Sequence, residues 1–309
     1  GVKLRDYYFN PAVMMDVQLK SSEIMHELYG LPVRKSVGAS FTSYICASAL
    51  GLEVHFPEDN CPQWARHPMG RIDEVDGLAV PKDLTAVGLM PRILANYEYM
   101  KRHAPPGVTV HPGGGGAQGP WTTAVVLRGT DIFLDVYEKP AQVHKLLGII
   151  TETAIELIHT FDRIAGVTNR MAVGFGDDYG GLLSPPMYWE FSGQYMKRIG
   201  DAFSATRRSL HSESLTRAHL KHLADIGITS FDAGTVKGLT ITDLKECLSI
   251  PFLLQFKTSE DMLLSTPERI QRKYREMVAE GATQMMVELC RRVPRENVRA
   301  FVEVAREYD

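Results

Sequence analysis

The chain has 309 residues, 44% of them hydrophobic and 23% charged, proportions of a globular protein that exclude a disordered tail and a lipid-embedded bundle. Its 34 basic and 37 acidic residues leave a net charge of −3, so no polyelectrolyte surface marks it for nucleic acid or an anionic membrane. No run of about 18 apolar residues occurs, residues 1–16 lack an apolar signal segment, and the cysteines at 46, 61, 247 and 290 have no paired spacing. A chain of this length buries a core without disulfides, so reduced thiols and a cytoplasmic location are expected.

Residues 11–29 place apolar side chains at helical spacing and end at Gly30 and Pro32, which predicts a first helix. A strand is expected around residues 52–56. From residue 107 the pattern becomes regular, with short apolar runs near 107–111, 171–175, 206–210, 228–231, 251–255 and 284–288, separated by longer segments of helical period. The connecting segment 140–164 starts at Pro140 and carries Val143, Leu146, Leu147, Ile150, Ala154 and Leu157 on one face; 267–280 starts at Pro267 and stops at Gly281. The count of about eight strands predicts an α/β fold, a single (β/α)8 TIM barrel over residues 1–309, with a helical elaboration within 1–100. A doubly wound open sheet is the competing topology. The run Gly113–Gly116 reads either as a backbone cradle for a phosphate or as a loop over the barrel mouth.

Ionisable residues gather just after the predicted strands, at the end where a barrel assembles its site. Asp177 and Asp178 follow 171–175, His211 and Glu213 follow 206–210, Asp232 follows 228–231, and Cys290 follows 284–288. Side chains two apart on a strand share a face, so His211 and Glu213 reach one ion if the strand stays extended that far, with Ser212 facing away. His211, Glu213, Cys290 and Asp232 would then supply the N, O and S donors a zinc ion takes. The ordinary alternatives are a solvated His-x-Glu loop and a packed thiol. Asp177 and Asp178 read either as a general acid–base pair or as caps for the segment opened by Ser184. His219 and His222 are expected on a wet helix face, and Cys247 in the core.

Three stretches resemble the uroporphyrinogen decarboxylase superfamily, which includes zinc-dependent corrinoid-linked methyltransferases. They are Gly119-Pro-Trp-Thr-Thr-Ala-Val-Val-Leu-Arg-Gly-Thr-Asp131 with Tyr137-Glu-Lys-Pro140, then Asp177-Asp-Tyr-Gly-Gly-Leu-Leu-Ser-Pro185, then Pro294-Arg-Glu-Asn-Val-Arg-Ala300. Together they span roughly residues 105–309, and the family's fold is the (β/α)8 barrel. The resemblance implies one of two chemistries. Its cofactor-free decarboxylases hold a tetrapyrrole's carboxylates with an N-terminal Arg-rich segment and an Asp, and their Gly-Pro-Phe-Thr motif also carries a Tyr where this chain has Val126. Its methyltransferases bind zinc through a His-x-Cys pair, a second Cys before the last helix and an acidic residue. His211 matches that His, Glu213 stands at the first Cys, Cys290 lies near the second, and Asp232 lies near the acid.

On that match, zinc would activate a small methylated substrate, in the direction of O-demethylation given the hard Glu213 ligand. The methyl group would pass to a corrinoid carried by a partner protein or to a thiol, with Asp177 or Asp178 protonating the leaving oxygen. A uroporphyrinogen decarboxylase-type enzyme is the alternative.

Overall fold

A computed structural model describes residues 1–113, 117–235 and 238–308. Its parallel strands are β1 (Ser36–Gly38), β2 (Thr109–His111), β3 (Ala117–Gln118), β4 (Ala172–Gly176), β5 (Arg207–His211), β6 (Ser230–Asp232), β7 (Phe252–Phe256) and β8 (Gln284–Val287). β1 pairs with β2, and β3 to β8 form one continuous ladder in sequence order, every pair parallel. Helices connect the later strands: Gln194–Ala202, Lys221–Ile226, Ile241–Cys247 and Pro267–Glu280 follow β4 to β7, and Arg295–Ala305 follows β8. This is the (β/α)8-barrel fold that the apolar runs predict.

Local signals account for the helix ends. Pro11–Tyr29 has Pro at its first position and the Asn10 side chain accepting from Ala12 N at 3.0 Å, and it stops at Gly30 with φ +65°. Pro140–Ala165 and Pro267–Glu280 likewise begin on proline and end on left-handed Gly166 and Gly281. The six apolar residues foreseen on the Pro140–Ala165 face are all buried.

Three details differ from the sequence reading. The apolar run 52–56 supplies only Val54–His55, which pairs antiparallel with Gln63–Trp64, outside the parallel ladders. The strand that does open the barrel, β1, has a single strongly apolar residue, Val37. Of the glycine run, Gly114–Gly116 lie outside the described residues; Gly113 has φ +87°, and a Cβ there would meet the Ala39 carbonyl oxygen at 2.5 Å, so only glycine fits.

Alternate residues face opposite sides of the wall. On the helix side, Val173, Phe175, Leu210, Phe231, Phe252, Leu254 and Phe256 are buried in the main apolar clusters, each such side chain contributing about 1.5–3 kcal/mol. The inward positions of β4 and β7 are only partly buried. At the free edge of β1 the Gln18 side chain substitutes for a strand: its Nε2 donates to Gly38 O at 2.8 Å and its Oε1 accepts from Gly38 N at 2.8 Å.

Candidate active site

The strand register lines up one row of inward residues: Gln118, Gly176, His211, Asp232, Leu253 and Gln284, each the cross-strand partner of the next. All six line a cavity of about 650 Å³ at the carboxyl end of the sheet, together with Asp178. The row reaches that end because the ladder runs slightly past the strands: Asp177 N donates to His211 O at 2.9 Å, and Ser212 N to Asp232 O at 3.0 Å.

His211 is the centre of the row. Its Nδ1 lies 2.9 Å from Asp232 Oδ2, and its Nε2 lies 3.6 Å from Asp178 Oδ1. Asp232 is fixed from two further sides, by Gly234 N at 2.9 Å and Gln255 Nε2 at 3.2 Å. The hydrogen bond to Asp232 raises the His211 pKa above 6.5, against the opposing effect of burial. Burial works to raise the Asp232 pKa, but the bonds from His211 and Gly234 outweigh it and hold the carboxyl below its usual value. The two shifts agree: imidazolium and carboxylate stabilise each other. Asp178 moves the other way, raised by burial despite His211. The arrangement can hold a proton on Nε2 in the cavity and release it to a substrate atom.

Asp177 does not join Asp178 at the cavity. It is fully buried on the helix side, accepting from Thr122 Oγ1 at 2.8 Å and Ser192 Oγ at 2.6 Å. It thereby ties the start of helix Pro120–Arg128 to the turn Trp189–Gly193, and burial pushes its pKa up to about 6. Gly180 packs over it, where a Cβ would meet Asp177 Oδ2 at 2.5 Å. The two neighbouring acids therefore take different jobs, one at the cavity and one in the packing.

The four side chains expected to share zinc do not converge. The strand ends at His211, so the alternation that would bring Glu213 back to the same face stops. Ser212 does face away, its hydroxyl donating to Asp177 O at 2.7 Å. Glu213 Oε1 accepts instead from Thr235 N and Oγ1, both at 3.2 Å. Cys290 is exposed in the turn after β8, and Asp232 bonds to His211 rather than sharing an ion with it. Among the described residues no group of three or more His, Cys, Asp or Glu is spaced to hold a metal ion. The donor set as folded does not fit zinc. His219 is also placed differently from the expectation: it is buried, bonded to Thr216 Oγ1 at 2.8 Å and Leu183 O at 2.9 Å.

Gln118 and Gln255 carry no charge and match no motif, and sequence reasoning passed over them. A glutamine at an alternate position of the apolar run Phe252–Phe256 is the available signal for the second.

Comparison with known proteins gives a consistent family. The family model described as Uroporphyrinogen decarboxylase (URO-D) matches residues 1–308. Uroporphyrinogen decarboxylase from Shewanella frigidimarina (strain NCIMB 400) is 26% identical over 242 residues, covering 75% of this chain and 65% of that protein. The same-named protein of Xanthomonas campestris pv. campestris (strain B100) is 31% identical over 158 residues, covering 49% and 42%. The chain thus spans under two thirds of the length of these relatives. Among solved structures, a methyltransferase from Methanosarcina mazei superposes with a TM-score of 0.76 at 21% identity, covering all of this chain and 88% of that one, a likeness of fold.

Proposed function

Because the chain belongs to the uroporphyrinogen decarboxylase family, matched along its barrel, we propose that it is an enzyme of the methyl-transfer branch acting on a small O-methyl compound. The observation that carries the reading is His211, held between Asp232 and Asp178 with Nε2 facing the cavity. In the reaction an acceptor nucleophile forms a bond to the methyl carbon, the carbon–oxygen bond breaks, its electron pair stays on oxygen, and His211 Nε2 supplies that oxygen with a proton. Asp232 fixes the tautomer and orientation of the ring, and Gln255 and Gly234 N fix Asp232. The acceptor is the corrinoid of a partner protein or a thiol. Exposed Leu182, which follows the Asp178 turn at the mouth, and exposed Tyr137 offer apolar contacts for such a partner. Free cysteines at 46, 61, 247 and 290 support a cytoplasmic setting. No helix among the described residues is long and apolar enough to cross a membrane.

The names of the curated relatives favour a second reading, decarboxylation, in which the same imidazolium would protonate the carbon left by departing CO2. The cavity argues against a tetrapyrrole polycarboxylate: among its described lining residues there is no Lys or Arg, and two carboxylates face the space. Burying several substrate carboxylates there without cations is unfavourable.

The test is to assay the purified chain for release of 1,2-dihydroxybenzene from 2-methoxyphenol with cob(I)alamin or a thiol as acceptor. His211→Ala is expected to lower turnover about a hundred-fold or more. Undiminished turnover in that variant would overturn the proposal, as would turnover of uroporphyrinogen. So would stoichiometric zinc whose retention depends on His211, Glu213 and Cys290 together.

A further inference from the structure

The cavity does not stop at the row that carries His211. Gly174, Ser209 and Ser230 sit side by side one inward step below Gly176, His211 and Asp232 in the strand register, and all three line the same 650 Å³ space. At this level a filled barrel carries bulky branched residues. Here it carries one hydrogen atom and two hydroxymethyl groups, so the space stays open. A Cβ on Gly174 would already meet Ser209 Oγ at 2.9 Å.

Unused hydrogen-bonding groups line the cavity at this level and at the level of His211. Among the described residues, the hydroxyls of Ser43, Ser209 and Ser230 and the Gln284 amide have no protein partner. Gln118 Oε1 is fully buried and also has none. A buried polar atom is ordinarily bonded, so a ligand that donates to Gln118 Oε1 gains affinity, while the serine hydroxyls and the Gln284 amide stand open to the cavity and free to bond a ligand. Below the His211 row the lining holds no charged side chain, and a charge placed there would lose its hydration without a counter-ion.

We propose that this lower part of the cavity is a neutral, hydrogen-bonding subsite that holds an uncharged hydroxyl- or ether-bearing end of the substrate while the reacting end lies against His211. The proposal rests on the reading of the cavity as the substrate site, and it narrows the substrate class to compounds with a slender, uncharged, oxygen-bearing tail. Gly174 sets the width of the subsite, and Ser209 and Ser230 set its preference for oxygen over hydrocarbon.

Binding tests the subsite without any need for turnover. The full chain is titrated with diethylene glycol monomethyl ether, followed by ligand-observed NMR, with 1-methoxybutane as the hydrocarbon-tailed control. The ether-alcohol is expected to bind in saturable fashion. Ser209→Ala/Ser230→Ala should weaken it about five-fold, as lost hydrogen bonds do, and Gly174→Val should abolish it. If Gly174→Val fails to fold, the double alanine variant, which removes only two hydroxyl oxygens, carries the test alone. Equal affinity in wild type and double variant, or equal binding of 1-methoxybutane, overturns the subsite. Saturable binding that depends on the two serines, combined with no demethylation of any methoxylated probe, would uphold the subsite and sink the methyl-transfer reading. Demethylation with no dependence on these residues would do the reverse.

Discussion

The two faces of the barrel wall are built on opposite rules. Facing the helices, Phe231 and Phe256 are each 1% exposed within clusters of Val, Ile, Leu and Phe. One residue along the same strands, facing inward, stand Ser230, which lines a cavity large enough for a small molecule, and Gln255, which reaches Asp232. Stability is therefore concentrated outside the wall and chemistry inside it. A strand with a period of two lets adjacent residues serve the two purposes without compromise.

The widest gap is expected between neighbours on β6. Phe231→Ala should cost about 3–5 kcal/mol of unfolding free energy, read by denaturant titration, whereas Ser230→Ala should change it by less than about 1 kcal/mol. Equal costs at the two positions would break the comparison.

Asp177 sharpens it, being an ionisable group on the packing face. Its pKa of about 6, against a usual 3.8, means that burial favours the neutral acid. That contribution is fully present below 3.8 and is lost as pH rises through about 6, a difference of about 3 kcal/mol at 1.36 kcal/mol per pH unit. Asp177→Asn should therefore gain stability relative to wild type between pH 4 and pH 7, and denaturant titrations at those two values check it. A constant difference would place the carboxylate in a more polar setting than its contacts imply.

A smaller effect is expected far from both faces. Thr240 caps helix Ile241–Cys247, accepting from Asp243 N at 3.1 Å while Asp243 accepts from Thr240 N at 2.9 Å. Thr240→Ala should cost about 1 kcal/mol and leave binding in the cavity unaltered.

Asp232→Asn should be felt mainly in the titration of His211, because its effect is on the inner face. The His211 pKa is raised above 6.5 chiefly by the bond to Asp232. The stabilisation from that ion pair is thus complete below 6.5 and fades as pH rises through the folded-state value. Activity that needs the imidazolium should follow the same descending limb in wild type. The variant should lose that limb at lower pH, visible in a pH–rate profile or in the imidazole proton shifts. An unmoved limb would mean that another group supplies the proton.

What could be read from the sequence was what depends on near neighbours. Proline at a helix start and glycine just past its end act through one or two backbone angles, so Pro140–Ala165 and Pro267–Glu280 were legible to within a residue. His211, Asp232 and Asp178 were legible for a related reason: each lies at or just beyond the end of a strand, and the fold gathers those ends. Glu213 and Cys290 were not, because their placement depends on where the extended backbone stops. β5 ends at His211 and β8 at Val287, and two or three residues of turn redirect a side chain completely. Strand β1 was missed because a three-residue strand held by one valine carries too little pattern. Gln255 was missed because its importance comes from Asp232, 23 positions away.

The primary amide of Gln18 has one further consequence. An unpaired strand margin is a template on which another polypeptide can build, the usual first step toward aggregates. By meeting both the N–H and the C=O of Gly38, this one side chain occupies the position a foreign backbone would claim. The protein can leave its hollow interior accessible to small molecules while denying the margin of β1 to its own kind.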